Sequence, residues 1–306
     1  MLTEQQVVDQ RERQIKSDDR NDGTNVGALL AVSQNTVADA LNYFRSRYAT
    51  DGVLTVSDMR TNVDGTDYAK WQAFIQQHSA ELMQDPEGQY RLKSAAQQAG
   101  LDREHLLGAM VGISVAHATL GINQYNHQTI DAEAGRTLKF QNKVMRLRGR
   151  QPLDLGDQIE TTTQKFIEEP KQGLTMDKRA WLRTDKLTSQ VNGAVNRSLQ
   201  VGLDDDYYQN HLFKDSSSSQ NSVTKQYASA GGYVSNSLLR DAKTGIVALA
   251  GGIIAEQNQL GMGYWHDVED ERECENCINL ANGGPYPANN VPAPPHPGCR
   301  CFVVYF

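Results

Sequence analysis

Residues 266–306 read HDVEDERECENCINLANGGPYPANNVPAPPHPGCRCFVVYF, and this stretch decides how the chain is understood. It holds all four cysteines of the 306 residues: Cys274, Cys277, Cys299 and Cys301. Cys274-x-x-Cys277 is a spacing that lets two thiolates grip one ion from a tight turn. His296-x-x-Cys299-x-Cys301 supplies three more candidate ligands. If Cys299–Cys301 opens a last strand, alternation turns both sulfurs one way and Arg300 the other. Two ligand pairs separated by a proline-rich loop then close a tetrahedral Zn2+ site, built either from all four thiolates or from three of them and His296. Disulfides formed outside a reducing compartment, and free thiols, are the alternatives. A closed four-ligand site has no open position for water, so its expected role is structural: to staple short strands too small to hold together alone.

Outward from the tail the composition changes. Six of the nine prolines fall between Pro285 and Pro297; before them stand only Pro86, Pro152 and Pro170. The first ~260 residues therefore predict helices, and the tail predicts turns and short strands at Tyr264–Val268 and Phe302–Phe306. Val37, Leu41, Phe44 and Tyr48 lie on one helical face, as do Trp71, Phe74, Ile75 and Leu82, with Thr66 as the expected N-cap. Leu187, Val191, Val195 and Leu199 form a further stripe. Gly231-Gly232 and Gly251-Gly252 predict helix breaks or close helix approaches. The expected fold is mainly α, with a small C-terminal α+β module of short strands stapled by the Cys/His cluster. Four segments are expected: a mobile polar arm over 1–25, a helical domain over 26–150, a helical segment with a polar loop over 151–224, and the cysteine-bearing domain over 225–306. Within the third, Asp204-Asp205-Asp206 reads as a solvated turn and Ser216–Ser219 as part of an exposed loop.

The balance is acidic, with net charge −7, and only 39% of residues are hydrophobic. That argues against a general nucleic-acid coat and suits polar helices covered by an assembly. One segment runs the other way. Arg136, Lys139, Lys143, Arg146, Arg148 and Arg150 give six positive charges with no negative one between them. They read as a solvated helix face, or as a contact with an acidic partner surface or DNA phosphates. The N-terminus lacks the apolar region of a signal peptide. Leu106–Ile122 and Ile246–Ala255 are the most apolar stretches and read as close-packed core helices, with a membrane-active segment as the alternative.

Two motifs of the tail together resemble a known family. Asp270-Glu271-Arg272-Glu273-Cys274-Glu275-Asn276-Cys277 resembles the D-E-R-x-C-x-x-C segment of phage Mu F-like minor head proteins. Pro294-Pro295-His296-Pro297-Gly298-Cys299-Arg300-Cys301 resembles that family's P-P-x-H-P-x-C-R-C ending. The likeness covers about residues 225–306, and Lys243-Thr244-Gly245 departs from the family's usual Arg-Thr-Glu. The resemblance implies a virion structural protein of the phage head interior near the portal, present in the host cytoplasm during assembly. It implies several copies per virion, portal and major capsid proteins as partners, contact with packaged DNA, and roles in head morphogenesis and DNA packaging or ejection. An internal protein ejected with the DNA, interacting with membrane or DNA, is the first alternative; a toxin-type enzyme is the second. No GxSxG, P-loop or HExxH motif is present, so no catalytic residue is expected. Because the cysteine motif is local, Cys277→Ser is expected to loosen the tail and leave the N-terminal helices folded.

Overall fold

The computed structural model describes residues 2–171, 173–214, 222–269 and 273–306. The fold is mainly α with a small sheet near the C-terminus, as the periodicity predicts. In chain order the helices are α1 (Glu4–Tyr48), α2 (Val56–Met59), α3 (Gly65–Leu82), α4 (Pro86–Gln98), α5 (Arg103–Leu147), α6 (Gly156–Glu168), α7 (Met176–Val201), α8 (Asp205–Tyr207), α9 (Val223–Tyr233), α10 (Arg240–Gln257) and α11 (Glu275–Gly283). Strands β1 (Met262–His266), β2 (Tyr286–Pro287) and β3 (Phe302–Tyr305) form an antiparallel sheet in the order β2-β1-β3. Ser216–Ser219 and Asp270-Glu271-Arg272 lie outside the described residues.

The chain divides into two compact units, and neither is continuous in sequence. One comprises the chain up to Thr24, Gln124–Met176 and Tyr233–Phe306; the other comprises Asn25–Asn123 and Asp177–Gly232. The expected segment boundaries near 150 and 224 are therefore not where the units divide. The turns at Pro152 and Pro170, and the run Asp204–Asp206, fall inside units. Two divisions fall within the uninterrupted helices α1 and α5, one at the start of α7, and one in α9 directly after Gly231-Gly232.

In the second unit the predicted stripes are the core. Val37, Leu41 and Phe44 of α1, Trp71, Phe74 and Leu82 of α3, and all four stripe residues of α7 are buried. The N-cap of α3 is Asp64 rather than Thr66. Its carboxylate accepts from the Thr66 and Asp67 amides while Asp67 reaches back, forming a reciprocal capping box. Asp85 caps α4, with Pro86 in its first turn. Small and hydroxyl residues form the seam between α5 and α7: Gly108 faces Asn192, Gly112 faces Thr188, and Thr119 bonds Thr184. Ser33 of α1 bonds Ser114 of α5 at 2.9 Å and Tyr227 of α9 at 2.8 Å, so these buried hydroxyls satisfy one another. Among the described residues α5 alone is long and apolar enough to cross a membrane, but 72% of its apolar window is buried inside the protein. Leu106–Ile122 is thus built as a core helix here.

In the first unit the polar N-terminus is not an arm. Residues 4–24 are helical, and Val7, Val8 and Ile15 pack with Phe140 and Val144 of α5 and Phe302 and Val304 of β3. The apolar positions are too few to carry this packing alone, and charges complete it. Glu133 of α5 is fully buried and shared by Arg11 at 2.8 Å, Arg136 at 3.2 Å and Arg300 at 3.2 Å. Asp19 holds Arg240 at 2.8 Å and Arg300 at 3.2 Å; Asp18 holds Arg136; Asp22 holds the buried Lys243. Burial alone would raise the Glu133 carboxyl, but Arg11, Arg300, Arg136 and Lys243 outweigh it and hold the group down to about 2.

Gly251-Gly252 does not break α10, whereas α9 ends one residue after Gly231-Gly232, and Gly231 approaches Leu30 of α1, where an added Cβ would lie 3.2 Å from the side chain. Gly251 lets Tyr305 of β3 approach α10, since an added Cβ would lie 3.0 Å from the ring. Strand β1 begins earlier than predicted, because Gly261 and Met262 donate to the Phe306 carbonyl and the ladder ends at His266 opposite Phe302. Val268 is buried beyond it.

A depressed folded-state pKa stabilises the fold above the ordinary glutamate range and withdraws that stabilisation as pH falls towards the folded value. Glu133 should therefore make the protein lose stability between about pH 4.5 and 2. Glu133→Gln should destabilise the neutral-pH fold by about 3–5 kcal/mol, as expected when buried cations lose their partner. It should also flatten the acid limb in chemical denaturation followed against pH. An unchanged acid limb would show that Glu133 does not carry it.

Candidate metal centre

The tail brings its two motifs together. Cys274 precedes α11 and Cys277 sits in its first turn, one helical step apart. Cys299 and Cys301 arrive on the segment entering β3, after a turn in which Gly298 takes φ +72° and the Cys299 amide donates to the His296 carbonyl at 3.3 Å. Only glycine adopts that left-handed conformation without strain. Helix α10 fixes the turn from behind. Arg240 Nε donates to the Gly298 carbonyl at 3.0 Å, Asp241 accepts from the Gly298 amide, and the Thr244 hydroxyl donates to the Cys299 carbonyl. Trp265, Leu280 and Tyr286 wall the sulfurs.

The ligand atoms are spaced for an ion. Cys277 Sγ lies 3.6 Å from Cys274 Sγ, 3.8 Å from Cys299 Sγ and 3.5 Å from His296 Nε2. A tetrahedron with bonds of ~2.3 Å to sulfur and ~2.0 Å to nitrogen has S–S and S–N edges of roughly 3.8 and 3.5 Å. A disulfide needs sulfurs ~2.05 Å apart, and none of the four cysteines has a partner that close; all are free in this structure. Cys274, Cys277 and His296 make one group with ligand atoms within 4.8 Å of one another; Cys277, Cys299 and Cys301 make a second. Cys277 belongs to both. All five predicted ligands are thus brought to one place that can hold a metal ion. Asp204-Asp205-Asp206 is a turn, as predicted, in which Asp204 caps α8 and Asp205 pairs with Arg45.

The electrostatics suit a cation. Burial pushes the Cys277 thiol up to about 12, reinforced by Cys301. Cys301 is raised by its contact with Cys299 and by burial. Crowded, desolvated sulfurs resist a second negative charge, and a bound cation reverses that penalty. Cys274 differs: the Cys277 amide at the start of α11 holds its thiol below the ordinary range. His296 Nδ1 lies 3.0 Å from the Pro297 carbonyl. With its proton there, the Nε2 lone pair faces Cys277.

Arg300 takes the opposite side from its flanking sulfurs, as strand alternation requires, and enters the Asp19–Glu133 charge network. The sequence did not disclose those partners, nor the part played by Arg240, Asp241 and Thr244. Lys243-Thr244-Gly245 gains a structural account. Lys243 is buried on Asp22, Thr244 holds Cys299, and at Gly245 an added Cβ would come 2.8 Å from the Phe166 ring. A larger residue at 245 requires Phe166 to move.

The basic segment is divided. Arg136 is committed to Asp18 and Glu133, Lys143 bonds Gln10 at 3.0 Å, and Arg148 pairs with Glu4 at 2.5 Å while lying over the Phe306 ring. Lys139, Arg146 and Arg150 are exposed and have no ion pair among the described residues. The six charges are therefore not one free surface.

Cys277→Ser should abolish binding of one equivalent of metal, since it removes a ligand from both groups. His296→Ala and Cys301→Ser should weaken binding without abolishing it; direct titration of chelator-treated protein with Zn2+ checks all three. The consequence for folding also changes. The cysteine turn and residues 4–24 belong to one unit, so Cys277→Ser should loosen the start of α1 as well as the tail. Limited proteolysis should then cut within residues 4–24, 124–176 and 233–306, while 25–123 and 177–232 stay protected. Equal cutting of both sets would contradict that division.

No family model, no curated protein and no solved structure matches this chain.

Proposed function

We propose that the chain is a virion structural protein of the phage minor-head type, whose C-terminal module is held by a structural Zn2+ ion. The observation that carries this reading is the convergence of Cys274, Cys277, His296, Cys299 and Cys301 on one centre. The cysteines and histidine of the two motifs that resemble the phage Mu F-like tail are the residues that meet in space. A thiolate-rich set suits Zn2+ over harder cations, and its closure suits a staple rather than a catalyst. In this reading the helical units meet portal and capsid surfaces inside the head, in several copies per virion. Two further features support it: the acidic balance, and polar helices with exposed Val32, Leu182 and Val201.

Quantitative mass spectrometry of density-purified phage particles, taken before and after DNA ejection, tests the proposal. A few copies per portal in intact particles is the expected outcome. Absence from particles sinks it, leaves an assembly factor or a protein outside the virion, and strengthens the enzyme reading. Loss on ejection would keep the virion role and give the ejected-protein reading its first support.

Contact with packaged DNA in this scheme runs through Lys139, Arg146 and Arg150, to phosphates only. Reversing all three to Glu should weaken binding to a mixed-sequence duplex and reduce the salt dependence by roughly 0.9 for each phosphate no longer neutralised. An unchanged slope in a salt titration would exclude this face. The acidic residues near the cysteines, Asp267, Glu269, Glu273 and Glu275, repel phosphate and are not part of it.

A further inference from the structure

Beside the metal centre lies a second feature that the structural role leaves unused. A cavity of about 230 Å³ is enclosed by α1, α5, α10, the end of the sheet and the loop 288–294. Its wall is mostly apolar, with Phe140, Val247, Phe302 and Val303 among the lining side chains. Two lining residues are polar in a way that the protein does not complete. Arg11 is 3% exposed, yet only its Nη2 is engaged, by Glu133 at 2.8 Å and Thr137 at 3.2 Å; Nε and Nη1 have no acceptor among the described residues. The indole Nε1 of Trp265, 5% exposed, also has none.

Buried donors without acceptors are rare, because such a group has given up water and gained nothing. Arg11 is also short of counter-charge, since its one carboxylate, Glu133, is shared with Arg136 and Arg300. A ligand that completes this wall must bring an anionic acceptor for Arg11 and an apolar body for the rest. An apolar cavity of about 150 Å³ takes a benzene ring, so this one has room for a ring and a short acid arm.

We propose that this cavity binds a small amphipathic carboxylate, with its anionic head received by Arg11 and the Trp265 N–H and its apolar body by Phe140, Val247, Phe302 and Val303. The site is separate from the metal centre, although Trp265 and Cys301 border both. Glu133 keeps the guanidinium in place, and Phe140 and Phe302, in edge contact at 5.4 Å, form a rigid aromatic floor. The neutral isostere of the same ligand offers no counter-charge to Arg11, so charge should set the preference.

The test is calorimetric titration of the full chain, metal-loaded, with 3-phenylpropanoate. The expected result is saturable binding at one site, about tenfold or more tighter than 3-phenylpropan-1-ol. Trp265→Phe keeps the ring but removes the donor and should weaken binding severalfold. Arg11→Met should abolish it. That variant strips Glu133 of a partner and can unfold the unit, so Ala248→Trp serves as the second probe. Ala248 is exposed at the cavity wall, and the bulkier ring should block entry without touching the charge network. N-acetylphenylalanine separates the sources: binding as tight as the simple acid points to the carboxyl end of a peptide, weaker binding to a free acid. No saturation up to about 10 mM acid overturns the proposal. So does equal affinity for the alcohol, undiminished binding in Ala248→Trp, or equally tight binding of inorganic phosphate.

Discussion

Arg300 stands between two metal-ligating candidates and points away from both, and the rest of the first unit depends on that alternation. Its guanidinium is buried on Asp19 and Glu133, while the sulfurs on either side face α11 and His296. One extended tripeptide therefore ties the cysteine cluster to the start of α1 and the middle of α5. A slip of one residue would bury a thiol among carboxylates and turn a guanidinium onto the sulfurs. Both errors are severe in a low-dielectric interior. The register of β3 is thus set from both faces before any apolar contact is counted.

The sheet needs this help. Its outer strand β2 has two residues and β3 has four, too little ladder to be stable without packing or a cross-link. Central β1 must also admit side chains over its backbone. An added Cβ at Gly263 would lie 2.7 Å from Val303, so the strand gives up side-chain packing there to let β3 lie close. Stability is supplied from outside the ladder: by the Cys/His centre, by the three bonds from α10 to the Gly298 turn, and by Tyr305 against Gly251. A buried ion network is weak evidence of net stability; what it does here is tie the tail to α1 and α5 through Arg300.

Much of this was legible in the sequence. The cysteine spacing, the apolar stripes of α1, α3 and α7, and the strand after Cys301 obey local rules of period and ligand geometry, and the structure follows them. What was not legible has one physical cause. Arg11, Asp18, Asp19, Asp22 and Glu133 are charges turned inward, and a sequence carries no sign of which way a charge faces. A helix whose buried side is built from Arg11, Asp18, Asp19 and Asp22 looks like a solvated arm, which is why residues 4–24 read as mobile. The unit boundary in the middle of α5 was hidden for a related reason. A helix that passes from one unit to the next, as α1 and α5 do, needs no proline, glycine or change of composition at the crossing. The N-cap of α3 was missed more simply, since Asp64 and Asp67 satisfy each other and Thr66 lies between them.

The same logic bears on the basic run of α5. Six like charges within fifteen residues suggest an outward-facing surface, but a helix distributes them around its axis at about 100° per residue. Arg136 and Arg148 fall on the side where α1 lies, each with an acid of α1 opposite, and Lys143 meets Gln10. Two of the six charges thus answer acids of the N-terminal helix, so part of the charge density that suggests nucleic acid is spent inside the unit. Neither segment could be interpreted correctly alone. An acidic stretch with few apolar residues and a basic stretch with no acids are, in this chain, two sides of one interface. The cations on the remaining faces are what a partner can use.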